Sequence, residues 1–281
     1  MIKNILKGMV MGLANIIPGV SGGTMAVSMG IYDKLIHSIT HLFKEFKQSV
    51  MFVLPIFIGM GIAIVGSSFG IDYLFATFPL QTNFFFIGLV LGSLPLLYGN
   101  VKGAKIKPGH MVSAVVFFAL VVVLALLDGT EGARADLSFN LVNVIILFVV
   151  GIVASATMII PGVSGSMMLL LLGFYNPILT TIKNFITALV SLDFAGILAG
   201  CGVLVPFGLG VVFGIFAVAK LIEVLLDKYP LYSYWGIIGL VVGSPIAILL
   251  LGSFGTITVV QVLVSVVTLA LGFFISIKLG K

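Results

Sequence analysis

The sequence predicts an all-α polytopic membrane protein built as an inverted-topology repeat, each half a re-entrant helical hairpin followed by three transmembrane helices. Three observations predict it. Of the 281 residues, 60% are hydrophobic and only 8% charged, whereas a soluble domain carries about 25% charged residues. Seven residues, Ile16-Ile17-Pro18-Gly19-Val20-Ser21-Gly22, recur unchanged as Ile159-Ile160-Pro161-Gly162-Val163-Ser164-Gly165, 143 positions later (16 to 159). Finally, threading the expected spans through a membrane sorts the basic residues to one face.

The first repeat is expected over residues 1–128. Lys3 and Lys7 precede an apolar tract, as in a signal peptide, but no A-x-A-type cleavage site follows and the tract leads straight into the repeated motif. Residues 1–17 are therefore expected to be retained. The apolar run from Gly8 to Ile17 is too short for a membrane core that needs about 20 residues. A hairpin over 2–40 is predicted instead, with its turn at Pro18–Gly23, because Pro-Gly breaks a helix. Spans are expected at 50–69, 82–99 and 109–127, with a short interfacial helix over 71–79 between the first two. Asp128–Asp136 is the most polar stretch and marks the boundary between halves.

The second repeat, 129–281, replays the first: a hairpin over 139–185, then spans at 197–219, 231–251 and 256–277. Gly30-Ile31-Tyr32 matches Gly173-Phe174-Tyr175 at the first offset. Beyond the hairpin the offset grows to 151 (55 to 206), which aligns Pro55 with Pro206, Asp72 with Glu223, Pro79 with Pro230 and Gly92-Ser93 with Gly243-Ser244. With a cytoplasmic amino terminus and six spans, 12 of the 14 basic residues fall inside and only Arg134 and Lys183 outside. Three spans per half then make the second repeat inverted. The parity holds whether each hairpin re-enters or crosses twice, and the second hairpin, whose first arm could span alone, leaves both choices open.

The net charge of +5 is scattered over loops, so it reports topology and not a nucleic-acid partner. The single cysteine, Cys201, excludes an intramolecular disulfide, and among Gly196 to Gly202 it is expected to be a packed thiol. His37, His41 and His110 lie near loops without metal-ligand spacing and are expected to be solvated. Asp72, Asp128 and Glu223 are placed at span ends, which argues against a membrane hydrolase or a carboxylate proton relay.

The candidate site is the pair of turns, Pro18-Gly19 and Pro161-Gly162. Two helix breaks at corresponding places in an apolar chain mark a polar-ligand site near the midplane. The helices leaving the turns begin at Ser21 and Ser164, and their first amides have no helical partner. Such ends attract anions. Gly22, Gly23 and Gly165 allow close backbone approach, while Ser21, Thr24, Ser164 and Ser166 add hydroxyl donors. The plainer reading is that the serines only cap their helices and the glycines only permit tight packing. Two copies facing each other favour the anion site.

The stretch from Ala14-Asn15-Ile16-Ile17-Pro18-Gly19-Val20-Ser21-Gly22-Gly23-Thr24 to Gly30-Ile31-Tyr32 resembles the signature of the bacterial polyprenyl-phosphate transporter family. Pro161-Gly162-Val163-Ser164-Gly165-Ser166 with Gly173-Phe174-Tyr175 resembles its second motif, so the resemblance covers essentially the whole chain. It implies a translocase, not an enzyme, that returns undecaprenyl phosphate from the outer to the cytoplasmic leaflet of the bacterial cytoplasmic membrane for cell-wall synthesis. The implied partners are a polyprenyl-phosphate lipid and membrane lipids; assembly into a homo-oligomer stays open. The copies differ at Gly23/Ser166, Thr24/Met167 and Asp33/Asn176, so the two tips need not contribute equally. No cofactor or metal is called for. Two helix ends supply about +1 together, against −1.5 to −2 on a phosphate monoester. A proton or another cation is therefore expected to accompany the lipid, unless Lys34 supplies the missing charge. Two rival readings are a transporter or channel for a small soluble anion and an undecaprenyl-pyrophosphate phosphatase-like membrane enzyme.

Overall fold

The computed structural model describes residues 1–16, 21–127, 135, 137–163, 165–252 and 254–279, apart from the side chains at 16, 64–65, 67–72, 75, 166–167 and 279. The described residues form thirteen α-helices and no strand. In the first half these are α1 (Ile2–Ile16), α2 (Gly22–Ser28), α3 (Tyr32–Thr40), α4 (Phe46–Thr77), α5 (Pro79–Leu91), α6 (Leu94–Gly99) and α7 (Pro108–Leu127). In the second they are α8 (Leu141–Ile159), α9 (Gly165–Leu171), α10 (Tyr175–Ser191), α11 (Phe194–Lys228), α12 (Pro230–Leu251) and α13 (Val259–Leu279). Among the described residues, seven helical stretches are long and apolar enough to cross a membrane, which makes this a multi-pass membrane protein. Six match the expected spans. The seventh is α8, the first arm of the second hairpin.

Two details differ from expectation. No break separates 50–69 from 71–79: α4 runs unbroken to Thr77. Its end is set by Phe78, which precedes proline and leaves the helical region at φ −131°, ψ 53°. Pro79 then starts α5 at a position where its missing N–H costs nothing. Tyr229 and Pro230 repeat this junction at φ −132°, ψ 53°. The arm of the first hairpin that begins at Ser21 is also divided, into α2 and α3. Gly30 takes a left-handed φ of 64°, and the Gly30 and Ile31 amides donate to Val27 and Ala26. This is a Schellman stop. Gly173 (φ 75°) repeats it, with Gly173 and Phe174 donating to Leu170 and Leu169.

The chain divides into two compact units. The smaller comprises Leu127–Ile159 and Gly165–Val218, and there α8 crosses α11 at glycines: Gly151 lies against Phe207, and Gly210 against Phe148. The larger comprises Met1–Leu126, Ile160–Ser164 and Ala219–Lys281. In it α1 crosses α4 in the same way, Gly8 against Ile56 and Gly59 against Ile5. These four positions are the repeat counterparts of the other four.

The remaining helices of the larger unit pair reciprocally. α5 packs on α13, with Gly88 against Leu269, and α12 packs on α7, with Gly239 against Ala114. Thr268 Oγ1 donates to the Gln81 carbonyl at 2.8 Å, and Ser113 Oγ donates to the Tyr232 carbonyl at 2.9 Å. Each half thus lends its last helix to the other. Residue i of one copy meets residue j of the other, and j meets i, the pattern of a two-fold relation.

Candidate functional site

The first motif is described from Ser21 onward; Pro18 and Gly19 lie outside the described residues. Ser21 is extended (φ −109°, ψ 137°) and caps α2, its Oγ accepting from the Gly23 amide at 3.2 Å. Asn15 Oδ1 accepts from the Gly22 amide at 2.9 Å. Two of the amides offered to an anion are therefore already paired internally. An incoming anion would exchange them for charge-assisted bonds, about twice as strong as neutral ones. All seven residues of α2 are buried, and Ser21 and Thr24 are 4% and 1% exposed. So short a helix is not stable on its own; the protein around it holds it.

The second motif is described up to Val163 and again from Gly165; Ser164 and the Ser166 side chain lie outside the described residues. Pro161 is fully buried, and Val163 packs in a cluster with Val121, Ala125, Leu240 and Ala247. Gly162 is left-handed at φ 83°, and a Cβ there would come 3.0 Å from the Leu240 carbonyl oxygen and 3.1 Å from Ser244 Oγ. The left-handed backbone favours glycine, and a side chain there would also press on both neighbours.

The two motifs touch. The Gly162 amide donates to Thr24 Oγ1 at 2.7 Å across 138 residues of sequence, and the bond is buried. The structure thus joins Ser21, Gly22, Gly23 and Thr24 to Pro161 and Gly162 within one unit. Gly165 begins α9 in the smaller unit, against Met158 and Ala154.

Lys34, the candidate charge partner, is exposed and holds its Nζ 4.7 Å over the Phe52 ring. A second cation of the first hairpin, Lys7, is bonded to the backbone of α2. Lys7 Nζ donates to the Met29 carbonyl at 2.7 Å, at the C-terminal end of α2, where a cation complements the helix dipole. A pocket of about 160 Å³ lies between Gly30, Asp33, Asn100 and Tyr234. Tyr234 Oη donates to Asp33 Oδ2 at 2.6 Å there. Among the described residues that line it, the one charged group is the Asp33 carboxylate, the wrong sign for phosphate.

The expectation that all three histidines are solvated is corrected. His110 is 2% exposed; its Nδ1 accepts from the Lys107 amide at 3.2 Å and its ring meets Tyr232 edge-on at 4.5 Å. A neutral imidazole can be buried once its nitrogen is paired in this way. His37 and His41 both face Glu223, which lies near the C-terminal end of α11 and is only 7% exposed. Periodicity could not reveal this contact, because it joins residues more than 180 positions apart. Asn15, the acceptor for Gly22, was legible only as one polar residue in an apolar run.

A family model described as undecaprenyl phosphate translocase-like matches residues 11–266. The chain is 36% identical to the polyprenyl-phosphate transporter of Staphylococcus aureus over 282 aligned residues, covering 99% of this chain and 95% of that protein. It is 30% identical to the polyprenyl-phosphate transporter of Vibrio cholerae over 258 residues, covering 86% of this chain and 76% of that protein. No solved structure matches the chain.

Proposed function

The chain belongs to the undecaprenyl phosphate translocase-like family, and from that premise we propose that it carries a polyprenyl phosphate across the bacterial cytoplasmic membrane. The family and the relatives' names indicate a transporter, not an enzyme. The proposed direction is from the outer to the cytoplasmic leaflet, returning undecaprenyl phosphate to cell-wall synthesis. Both termini are cytoplasmic in this reading, which rests on the 12-to-2 distribution of basic residues.

The observation that carries the proposal is the buried hydrogen bond from Gly162 to Thr24. Two copies of one helix-breaking motif, one from each half, converge on a single point among hydroxyls and backbone amides. A lipid phosphate needs such a sheltered polar path for its head while its tail stays in the bilayer. The headgroup is taken to sit at Ser21, Gly22, Gly23 and Thr24 with Ser164, Gly165 and Ser166, around the turns Pro18-Gly19 and Pro161-Gly162. The reciprocal pairing of α5 with α13 and α12 with α7 supports an inverted repeat, in which exchanging the conformations of the halves switches the open side. The charge deficit at two helix ends calls for a proton or another cation to move with the phosphate, and an inward proton gradient should then raise the rate.

The test is leaflet exchange in proteoliposomes holding the purified protein and a polyprenyl phosphate. Exchange of the intact lipid is expected. Flux of inorganic phosphate without lipid exchange would favour a soluble-anion carrier, and phosphate release from a polyprenyl pyrophosphate would favour an enzyme.

A further inference from the structure

Two of the chain's three histidines, His37 and His41, stand four residues apart at the end of α3, a spacing that puts both on one helix face. Their rings stack with centroids 4.1 Å apart and an interplanar angle of 22°. Across from them, within the larger unit, α11 presents Glu223. Its Oε1 lies 3.3 Å from His37 Nδ1 and 3.2 Å from His41 Nδ1. The three ligand atoms all fall within 4.8 Å of one another.

These separations suit coordination. Two ligands each about 2.0–2.1 Å from a tetrahedral zinc ion stand about 3.3 Å apart. Two imidazoles and a carboxylate are also the donor set that zinc and its first-row neighbours accept. The carboxylate is pre-oriented: Thr40 Oγ1 donates to Oε1 at 2.9 Å, and Lys220 Nζ donates to the other oxygen, Oε2, at 2.6 Å. Glu45 Oε2 faces the far nitrogen of His37 at 3.6 Å. A closer approach would let that carboxylate hydrogen-bond the outer nitrogen of a ligating histidine and fix its tautomer. Two features must yield to a cation: the Lys220 ammonium, whose side chain is 60% exposed, gives up Oε2, and the near-parallel rings rotate so that both Nδ1 lone pairs point at one ion.

We propose that His37, His41 and Glu223 form a binding site for a divalent transition-metal ion of the zinc class. The fourth position is left to water, and the bound ion clamps the end of the first hairpin to α11. The site is separate from the headgroup tips and needs no lipid.

The probe is cobalt(II), whose visible absorption reports a tetrahedral nitrogen–oxygen site, titrated into chelator-stripped protein after removal of any purification tag. One equivalent should bind saturably and be displaced by zinc. The His37→Gln/His41→Gln variant should weaken binding at least 100-fold, and Glu223→Gln comparably. His110→Gln should leave the titration unchanged. If Glu223→Gln does not fold, the double histidine variant, whose side chains are more exposed, carries the test alone. Absence of saturable binding, or binding undiminished in the double variant, overturns the proposal. Neither result depends on transport, so the site and the lipid reading stand or fall separately.

Discussion

The two motif copies share seven residues but divide their work. The first copy supplies side chains. Asn15 takes up the Gly22 amide, Ser21 takes up the Gly23 amide, and Thr24 offers its hydroxyl across to the other copy. The second supplies backbone: Gly162 gives the amide that Thr24 accepts, from a conformation only glycine holds without strain. Where the first copy has Asn15 and Thr24, the second has Met158 and Met167. Burial divides the same way. Every residue of α2 is buried, whereas the described side chains of α9 are half-buried. Among the described residues, the two copies thus take different parts in one contact. Among the described residues, Thr24 brings the hydroxyl and Gly162 the backbone amide to that contact.

Substitutions at paired positions test that division. Gly162→Ala should be the most damaging, because it combines a left-handed backbone with a Cβ pressed on Leu240 and Ser244. A loss of about 2–5 kcal/mol is expected, read as thermal stability in detergent. A mild effect would mean the tip can yield. Ser21→Ala and Ser164→Ala should each remove one charge-assisted hydrogen bond, about 1.5–3 kcal/mol, and weaken headgroup binding about 10- to 100-fold with the fold retained. Full binding and transport in the double variant would reduce the serines to caps. Thr24→Val leaves the buried Gly162 amide without an acceptor and should cost about 1–3 kcal/mol, while Met167→Val at the matching position should not orphan a polar group. Equal stability losses at both positions would erase the asymmetry. The smallest effects belong to Gly30→Ala and Gly173→Ala, about 1–2 kcal/mol each. These should agree closely, since both glycines close the same helix stop.

The repeat was the most legible feature of the chain. Offsets read from Pro55/Pro206 and Pro79/Pro230 carry over to matching helix crossings, because a glycine kept for close backbone approach is kept in both copies. Helix ends were less legible. The apolar pattern thins after residue 69, yet α4 continues to Thr77, since a helix persists until something stops it, and that stop is Pro79. Gly30 and Gly173 were visible as matched residues, but their role as helix stops depends on a positive φ that composition does not disclose. At the site, the motif residues were identified from sequence while the bond joining them was not. The choice of Thr24 Oγ1 as acceptor for Gly162 depends on the packing of α2, α7 and α12. The surroundings of Glu223 were the least legible. A carboxylate near a helix end looks solvated until its partners, His37, His41, Thr40 and Lys220, are brought in from elsewhere.

The most direct test of one site built from two tips is a cross-link between them. Cysteines replacing Val20 and Val163, in a chain whose single native Cys201 is changed to serine, would be joined by oxidation in proteoliposomes and released by reduction. If the tips meet and must move for the headgroup to pass, polyprenyl-phosphate exchange should stop on oxidation and recover on reduction. Undiminished exchange with the cross-link complete would contradict the account.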